Sequence, residues 1–541
     1  MSRLADRQRG WAVAALTLAV LTIGFDITIM NVALPTMATA LSAGTDGLQW
    51  IVNAYILLFA GLMLPVGAIA DKFGRKRLLL TGLAIFAAAS LAAAWAGDTG
   101  AVVAARAALG VGAAVIMPST LAIIAVLFEP AERGKALSVV VMGMGAGIPL
   151  GPIIGGYLLN HFWWGSIFLV NVPVVLAAMV AIVLLLPESR DPHPPRADLV
   201  GGFLSTAGLL SFVYGLVEAP DRGWGDALVL AALAGGVVLL LSFVWWELRI
   251  PRPMIDLRLF RERLFRWGNV NATVASFALF GLLFVAPLYL QFVLGNDAFG
   301  TGIRLLPLIG GFVVGVGVGT RVAGRIGHRL PVAAGLLLTG AGLALGGLTE
   351  LDSGFGYAAT WYAITGLGIG SALTPSMDAV LAVLPPERSG SGTAITMTLR
   401  QAGGALGVAL LGSVLSQVYT ANLDVTALPP EAATTAHDSI AGAMTVATRA
   451  DLPALAVDAQ SAYVDGMTTV LRLCAAIAIL AAIATVRLMP RESRPGPPRV
   501  PPSAPASPAL GHARAATKTG LAGSENGTRG VSHLVPGGGA C

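Results

Sequence analysis

The chain has 541 residues, of which 55% are hydrophobic and only 12% charged, with a net charge of +5. A soluble domain carries roughly 25% charged residues, so this composition excludes a water-soluble enzyme or binding module and calls for a lipid bilayer as the apolar solvent. The two cysteines, Cys474 and Cys541, are isolated, so neither a disulfide framework nor a metal site follows, and no cofactor motif is present. In such a chain the location of the positive charge carries the information, not its sum, and the basic balance does not point to nucleic acid.

The first apolar run, Trp11 to Phe25, follows Arg3, Arg7 and Arg9 and imitates a signal peptide, but further spans follow at once and the run reads as an uncleaved helix. A span needs ~20 mostly apolar residues, and in lipid it must be helical because every backbone polar group has to be satisfied internally. About fourteen runs meet that length rule: Trp11–Asn31, Leu48–Ala70, Leu78–Ala96, Ala101–Val126, Leu137–Leu159, Ile167–Leu186, Gly201–Glu218, Ala227–Trp246, Val270–Leu294, Ile303–Val322, Val332–Leu348, Ala358–Leu384, Ala394–Tyr419 and Met467–Leu488.

Taking the loops alternately, one set holds the N-terminus together with Lys72, Arg75, Lys76, Arg77, Arg133, Lys135, Arg190, Arg196, the arginines between Arg249 and Arg266, Arg325, Arg329, Arg388, Arg491 and Arg494. The other set holds Arg222, Arg449 and Arg304. The positive-inside rule then predicts that both termini are cytoplasmic. The expected organisation is a short cytoplasmic N-terminus (1–10), a six-helix bundle (11–186) and two inserted helices with a basic cytoplasmic connector (187–267). A second six-helix bundle (268–490) carries an acidic external loop (422–465), and a tail (491–541) ends the chain. The connector, Leu248 to Trp267, is partly amphipathic and expected along the membrane surface, and the Pro-, Gly- and Ser-rich tail is expected to be disordered.

Three stretches carry chemistry. After the second span come Gly67, Asp71, Gly74, Arg75 and Lys76, a tight glycine turn that brings an acid and a basic cluster to the helix ends; a positive-inside loop with an incidental acid is the plainer reading. The fourth span holds Arg106, which at mid-membrane costs at least ~2.5–3.5 kcal/mol and must face a cavity or a partner unless it snorkels to an interface. The fifth span carries Gly147, Pro149, Gly151, Pro152, Gly155 and Gly156, a smooth glycine groove with two prolines that remove backbone donors and invite a bend.

In order and position these three stretches resemble the motifs of the major facilitator superfamily, and the Gly–Pro helix resembles its antiporter signature. Asp26, Thr28, Asn31 and Pro35 in the first span, Trp50, Asn53 and Tyr55 in the second, Phe168, Asn171 and Pro173 opening the sixth, and Asp198 before the seventh resemble the fourteen-helix drug/proton antiporter branch. The resemblance covers Trp11 to Pro490 and implies an all-α membrane protein of the major facilitator fold, with two six-helix bundles and two inserted helices. Two departures stand out: Trp163-Trp164-Gly165-Ser166 replaces a Trp-Arg-Trp-type cluster, and Gly324 stands in the second half where the first has Asp71.

No phosphate loop is present, since Gly134-Lys135 is followed by Ala136, so an ion gradient is the natural driver. All six histidines fall in loops or the tail. Asp26 is the leading proton-carrier candidate because an isolated carboxylate in apolar surroundings favours its protonated form; a structural Asp capped by Thr28 or Asn31 is the plainer reading. Arg106 is its candidate charge partner and Asp378 a second acid candidate. A substrate pocket is expected near midplane between the bundles, with Asn31, Trp50, Asn53, Tyr55, Met117, Phe284, Tyr289, Gln291, Met397 and Arg400 as candidate lining. Aromatic and Met side chains suit a small lipophilic or cationic substrate.

These features imply a monomeric, multi-pass transporter of the bacterial cell membrane that exports a drug or antibiotic against protons. Export of an endogenous metabolite is the alternative within transport, and a scaffold or receptor the alternative outside it. A membrane-embedded enzyme would need clustered histidines, paired intramembrane acids or a nucleophile–base pair, and the sequence offers none.

Overall fold

The computed structural model describes residues 6–128, 130–190, 198–251, 253, 255–384 and 389–490, with the side chains at 6–8, 64, 67–73, 125, 389–391 and several positions between 130 and 149 outside the description. Every predicted span falls on a helix. The first half comprises α1 (Asp6–Leu41), α2 (Thr45–Phe73), α3 (Arg75–Ala94), α4 (Thr99–Leu127), α5 (Pro130–His161), a short α6 (Ser166–Leu169) and α7 (Asn171–Leu185). Then follow α8 (Leu199–Arg222), α9 (Ala227–Arg249), α10 (Arg263–Leu288), α11 (Ala298–Arg304), α12 (Leu306–Ile326), α13 (Arg329–Gly346), α14 (Phe355–Ala382) and α15 (Ser389–Asn422). Two small helices, α16 (Pro430–Asp438) and α17 (Ile440–Ala450), precede the last, α18 (Pro453–Leu488). Among the described residues, 12 helical segments are long and apolar enough to cross a membrane. The other two expected spans lie on α5 and α14, whose 32 and 28 residues give them the length.

Three spans are less regular than expected. The sixth breaks at Val170 into α6 and α7, the ninth ends in a π-turn at Tyr289–Val293, and the tenth divides at Leu305. Prolines lie next to the last two irregularities: Pro287 precedes the π-turn and Pro307 opens α12, each lacking the N–H that a continuous helix would use. Aspartates start several helices: Asp98 accepts from the Ala101 amide at 2.8 Å, Asp226 from Leu228 at 2.9 Å, and Asp297 from Gly300 at 2.7 Å.

Helix α1 packs on α5 and α7, α2 on α4, and α3 on α4 and α7; in the later part of the chain α12 and α13 pack on α14, α10 on α15 and α13 on α18. The inserted α8–α9 pair sits at the seam, with α8 against both α2 and α15. There the Ser413 hydroxyl donates to the Leu216 carbonyl. Asp198 accepts from the Trp246 indole at 3.0 Å and so ties α8 to α9. The connector is anchored to the bundle: the buried Glu247 carboxylate accepts from the Ile255 amide at 2.9 Å, and Ile255 and Phe265 join a small core with Phe243, Val380 and Ile395.

The acidic loop 422–465 is largely helical. Its α16–α17 pair lies over the α1–α2 turn: the Thr45 hydroxyl donates to the Asp438 carbonyl at 3.1 Å and the Tyr419 hydroxyl to that of Ala436 at 3.0 Å. The expectations for the 491–541 tail, and those resting on the side chains of Asp71 and Pro149 and on Gly67, lie outside the described residues.

At the opposite end, the Gly74 turn closes by a device the sequence did not announce. Gly74 has φ +111°, a conformation that side chains disfavour, and leaves α3 without a capping side chain of its own. Glu188, just beyond α7, supplies the cap: its carboxylate accepts from the amides of Lys76 and Arg77, each at 3.2 Å. Lys76 reciprocates, its ammonium donating to the carbonyls of Leu186 at 2.6 Å and Val183 at 2.9 Å at the end of α7. An acid at one helix N-terminus and a cation at the neighbouring C-terminus satisfy both dipoles. Glu188→Ala is expected to cost about 1–2 kcal/mol, the usual loss of a helix cap, read as a lowered thermal midpoint of the detergent-purified protein; an unchanged midpoint would show the clamp to be dispensable.

Candidate functional site

Asp26 and Arg106 meet in the interior. They are 0% and 1% exposed, and Arg106 Nη1 lies 2.5 Å from Asp26 Oδ2. The pair is supported from three further sides. Asn171, at the start of α7, donates to Asp26 Oδ1 at 3.3 Å; Arg106 Nε donates to the Ile51 carbonyl at 3.0 Å; and the guanidinium lies 4.4 Å from the Tyr55 ring centre. One ion pair thus ties α1, α2, α4 and α7 together. The expectation of an isolated Asp26 is corrected, because the carboxylate is charge-paired. Thr28 and Asn31 do not cap it: the one Thr28 hydroxyl proton has the carbonyls of Gly24, Phe25 and Gly147 within 3.1–3.2 Å as alternative acceptors, and Asn31 donates to that of Ile27.

Two residues that contact the pair carry buried polar atoms with no partner among the described residues, the Tyr55 hydroxyl and Asn171 Oδ1; Asn53 on α2 and, further along α4, Ser119 and Thr120 are unpartnered too. Such groups are costly in a core and cluster where function requires them. Asp378 stands apart, partly buried on α14, where the facing charged group is His328 at the start of α13.

The glycine groove of α5 explains how α1 is seated. A Cβ at Gly147 would meet the Phe25 nitrogen at 2.6 Å, one at Gly151 the Ile29 nitrogen at 2.9 Å, and one at Gly155 the Ile29 side chain at 2.5 Å. The backbone of α5 therefore lies directly on the Gly24–Ile29 stretch that carries Asp26. Gly156 continues the stripe onto α11, where a Cβ would lie 2.6 Å from the Ala298 carbonyl oxygen.

A cavity of about 880 Å³, counting its open mouth, lies between the two parts of the chain. Gly24, Ile27, Thr28 and Asn31 of α1 line one wall and Leu305, Leu308, Ile309 and Phe312 the opposite one, each set at the i, i+3, i+4, i+7 spacing of one helix face. Pro152 of α5, Leu279, Phe280 and Leu283 of α10, Leu373 of α14, and Arg400 and Gln401 of α15 complete it.

Asn31 and Arg400 are thus the predicted pocket residues found at this cavity, and eight others lie elsewhere. Trp50 packs at 6.1 Å on Tyr214 of α8, and Asn53 and Tyr55 belong to the ion-pair region. Met117, Phe284 and Tyr289 are buried core. Gln291 donates to the Val32 carbonyl at 3.1 Å, joining the π-turn to α1, and Met397 sits behind Arg400, sulfur to Nη1 at 3.7 Å. Packing consumes most large side chains in a helix bundle, so residue type alone does not separate wall from core. Sequence reasoning missed Gln401, Phe312 and Leu279 for the same reason; the neighbour of Arg400 was the one available signal.

Membrane-spanning helices in two groups around a central cavity, with a buried charge pair beside it, define a polytopic membrane transporter. The Major Facilitator Superfamily model matches residues 16–408, and the chain belongs to that superfamily. It is 33% identical to the tetracenomycin C resistance and export protein of Streptomyces glaucescens over 90% of this chain and 93% of that protein. It is 36% identical to the multidrug efflux pump LfrA of Mycolicibacterium smegmatis (88% and 96%) and 36% identical to the puromycin resistance protein of Streptomyces alboniger (77% and 84%). Its fold matches a bacterial homolog of the human lysosomal transporter Spinster with a TM-score of 0.65 at 17% identity, covering 91% of this chain and 100% of that one.

Removing one member of a buried ion pair strands the other and typically costs about 3–5 kcal/mol, whereas removing both is closer to neutral. Arg106→Met alone should therefore lower the thermal midpoint sharply, and Asp26→Leu with Arg106→Met should recover most of that loss without recovering transport. Equal destabilisation by the single and the double change would show that the two residues are not coupled.

Proposed function

We propose that this protein is a proton-coupled antiporter that exports a lipophilic drug or antibiotic from the cytoplasm and so confers resistance. The observation that carries this reading is the buried Asp26–Arg106 pair on the helix that also walls the apolar cavity. The resistance and efflux roles printed for the relatives support the same reading. We place the protein in the bacterial cell membrane as a monomer with both termini cytoplasmic, as the basic loops favour. Residues 11–186 and 268–490 act as the two moving bundles, with 187–267 inserted between them.

In this mechanism, a proton arriving from outside neutralises Asp26 and removes the charge that holds Arg106. The Ile51 carbonyl and the Tyr55 ring keep two contacts to the guanidinium but supply no counter-charge, so the protonated state is the strained one and α1 is released from α4 at an electrostatic cost. Proton loss to the cytoplasm restores the pair and draws α1 back. The glycine groove of α5 favours the movement, because at Gly147, Gly151 and Gly155 the α5 backbone meets α1 with no Cβ between them.

The test is drug accumulation in an efflux-deficient bacterial host. The parent protein should lower accumulation of lipophilic compounds, and collapsing the proton gradient should abolish the effect. Asp26→Asn should reduce export at least about tenfold, the order expected for losing a proton-transfer group. Undiminished export by Asp26→Asn under a proton gradient would sink the coupling assignment. Equal accumulation with and without the protein, across chemically varied compounds, would favour export of an endogenous metabolite.

A further inference from the structure

The cavity's charge is not balanced. Arg106 is neutralised by Asp26, but Arg400, which lines the cavity, has no ion-pair partner among the described residues. Its Nε donates to the Ser276 hydroxyl at 3.2 Å, and its Nη1 faces only the thioether sulfurs of Met377 at 3.5 Å and Met397 at 3.7 Å. Sulfur is a weak acceptor, and Nη2 bonds to nothing among the described residues. Beside it, Gln401 is 7% exposed, also lines the cavity, and leaves its amide nitrogen Nε2 without a partner. Two neighbouring side chains therefore present donors with no acceptor to meet them. The rest of the wall (Ile27, Leu279, Phe280, Leu308, Ile309, Phe312) has no charged group to offset the guanidinium.

We infer that Arg400 and Gln401 form an acceptor-binding end of the cavity, and that the transported molecule has an apolar body bearing an anionic oxygen group such as a carboxylate, phenolate or enolate. A guanidinium fork matches such oxygens in shape and charge. In surroundings of low dielectric, an anion supplied by the ligand offsets a cation that would otherwise stand uncompensated. A lipophilic cation would enter the same apolar space against the field of Arg400. This inference rests on the efflux reading for the direction of transport, but not for the binding chemistry. It narrows the substrate class from lipophilic or cationic to lipophilic and anionic.

The test uses the full-length protein in detergent at about pH 7, where a carboxyl group is ionised, with three probes that share a triphenyl body: triphenylacetate, triphenylacetamide and methyltriphenylphosphonium. Triphenylacetate should bind at least about tenfold more tightly than the phosphonium, the scale of one charge-assisted bidentate contact. Arg400→Gln should erase that preference by weakening the carboxylate about tenfold while the amide shifts less than about threefold, and Arg400→Lys should fall between, keeping the charge but not the fork. The amide also reports that each variant is folded; should Arg400→Gln fail to fold, the preference of the parent protein decides alone. Phosphonium binding as tight as the carboxylate, no carboxylate binding, or full carboxylate affinity in folded Arg400→Gln would each overturn the inference while leaving drug export standing. Carboxylate preference without export of any compound in cells would instead overturn the efflux reading and leave the acceptor site in place.

Discussion

The buried ion pair between Asp26 and Arg106 constrains everything around it. Two charges at 0% and 1% exposure hold each other in a setting where either alone would be prohibitively costly. To keep the pair, α1 must present Asp26 to α4 while Asn171 of α7 and the Ile51 carbonyl of α2 close the remaining sides. That orientation turns the Gly24–Thr28 face of α1 toward α5 and the cavity. The α5 glycines follow from it, since only a helix without side chains along one face lets the α1 backbone lie so close.

The ends of the bundle are held by different chemistry. At the end opposite the termini, contacts cross between the two parts of the chain: Gln291 reaches the Val32 carbonyl, Asn160 donates to Asp297 at 2.6 Å, and Gly156 abuts Ala298. The α16–α17 pair covers the same end. At the terminal end, the clamp between α3 and α7 is electrostatic, with Glu188 on two amides and Lys76 on two carbonyls. The first set joins the two parts and the second stiffens one of them. Relative movement between the parts would therefore break the first set and spare the second.

How much of this was legible in the sequence depended on cost. Charges in apolar runs are rare because they are expensive, so Asp26 and Arg106 stood out, and segregated loop arginines marked the spans. Their pairing joins positions 80 residues apart, and chain order supplied it only as one option. Glu188 escaped because an acid after a helix reads as solvated loop; its partners are 112 and 111 residues away. The cavity wall was the least legible part. Phe280 and Phe284 are one turn apart on α10, yet one lines the cavity and the other is core, and only the placement of neighbouring helices separates them. For the acidic loop and the basic connector, composition recorded charge but not the short helical segments of the one or the buried Ile255 that anchors the other.

Helix α1 is where the two chemistries meet, and its geometry limits how they are linked. The cavity stripe at Gly24, Ile27, Thr28 and Asn31 leaves Asp26 off that face, bonded to α4 and α7. A bound molecule and a proton therefore do not compete for one carboxylate, and coupling of the kind proposed must pass through the position of α1 itself. In the proposed mechanism the glycine groove would supply the means, because a backbone sliding along glycines has few side-chain contacts to break there. The charges divide in the same way. The cation behind α1 carries its own counter-ion, while the cation across the cavity on α15 has none among the described residues, so in the proposed mechanism a ligand anion would change the balance of the cavity and a proton the balance of the pair. Each event would alter the electrostatics on one face of the same helix, and the rigidity of that helix would let one be felt by the other.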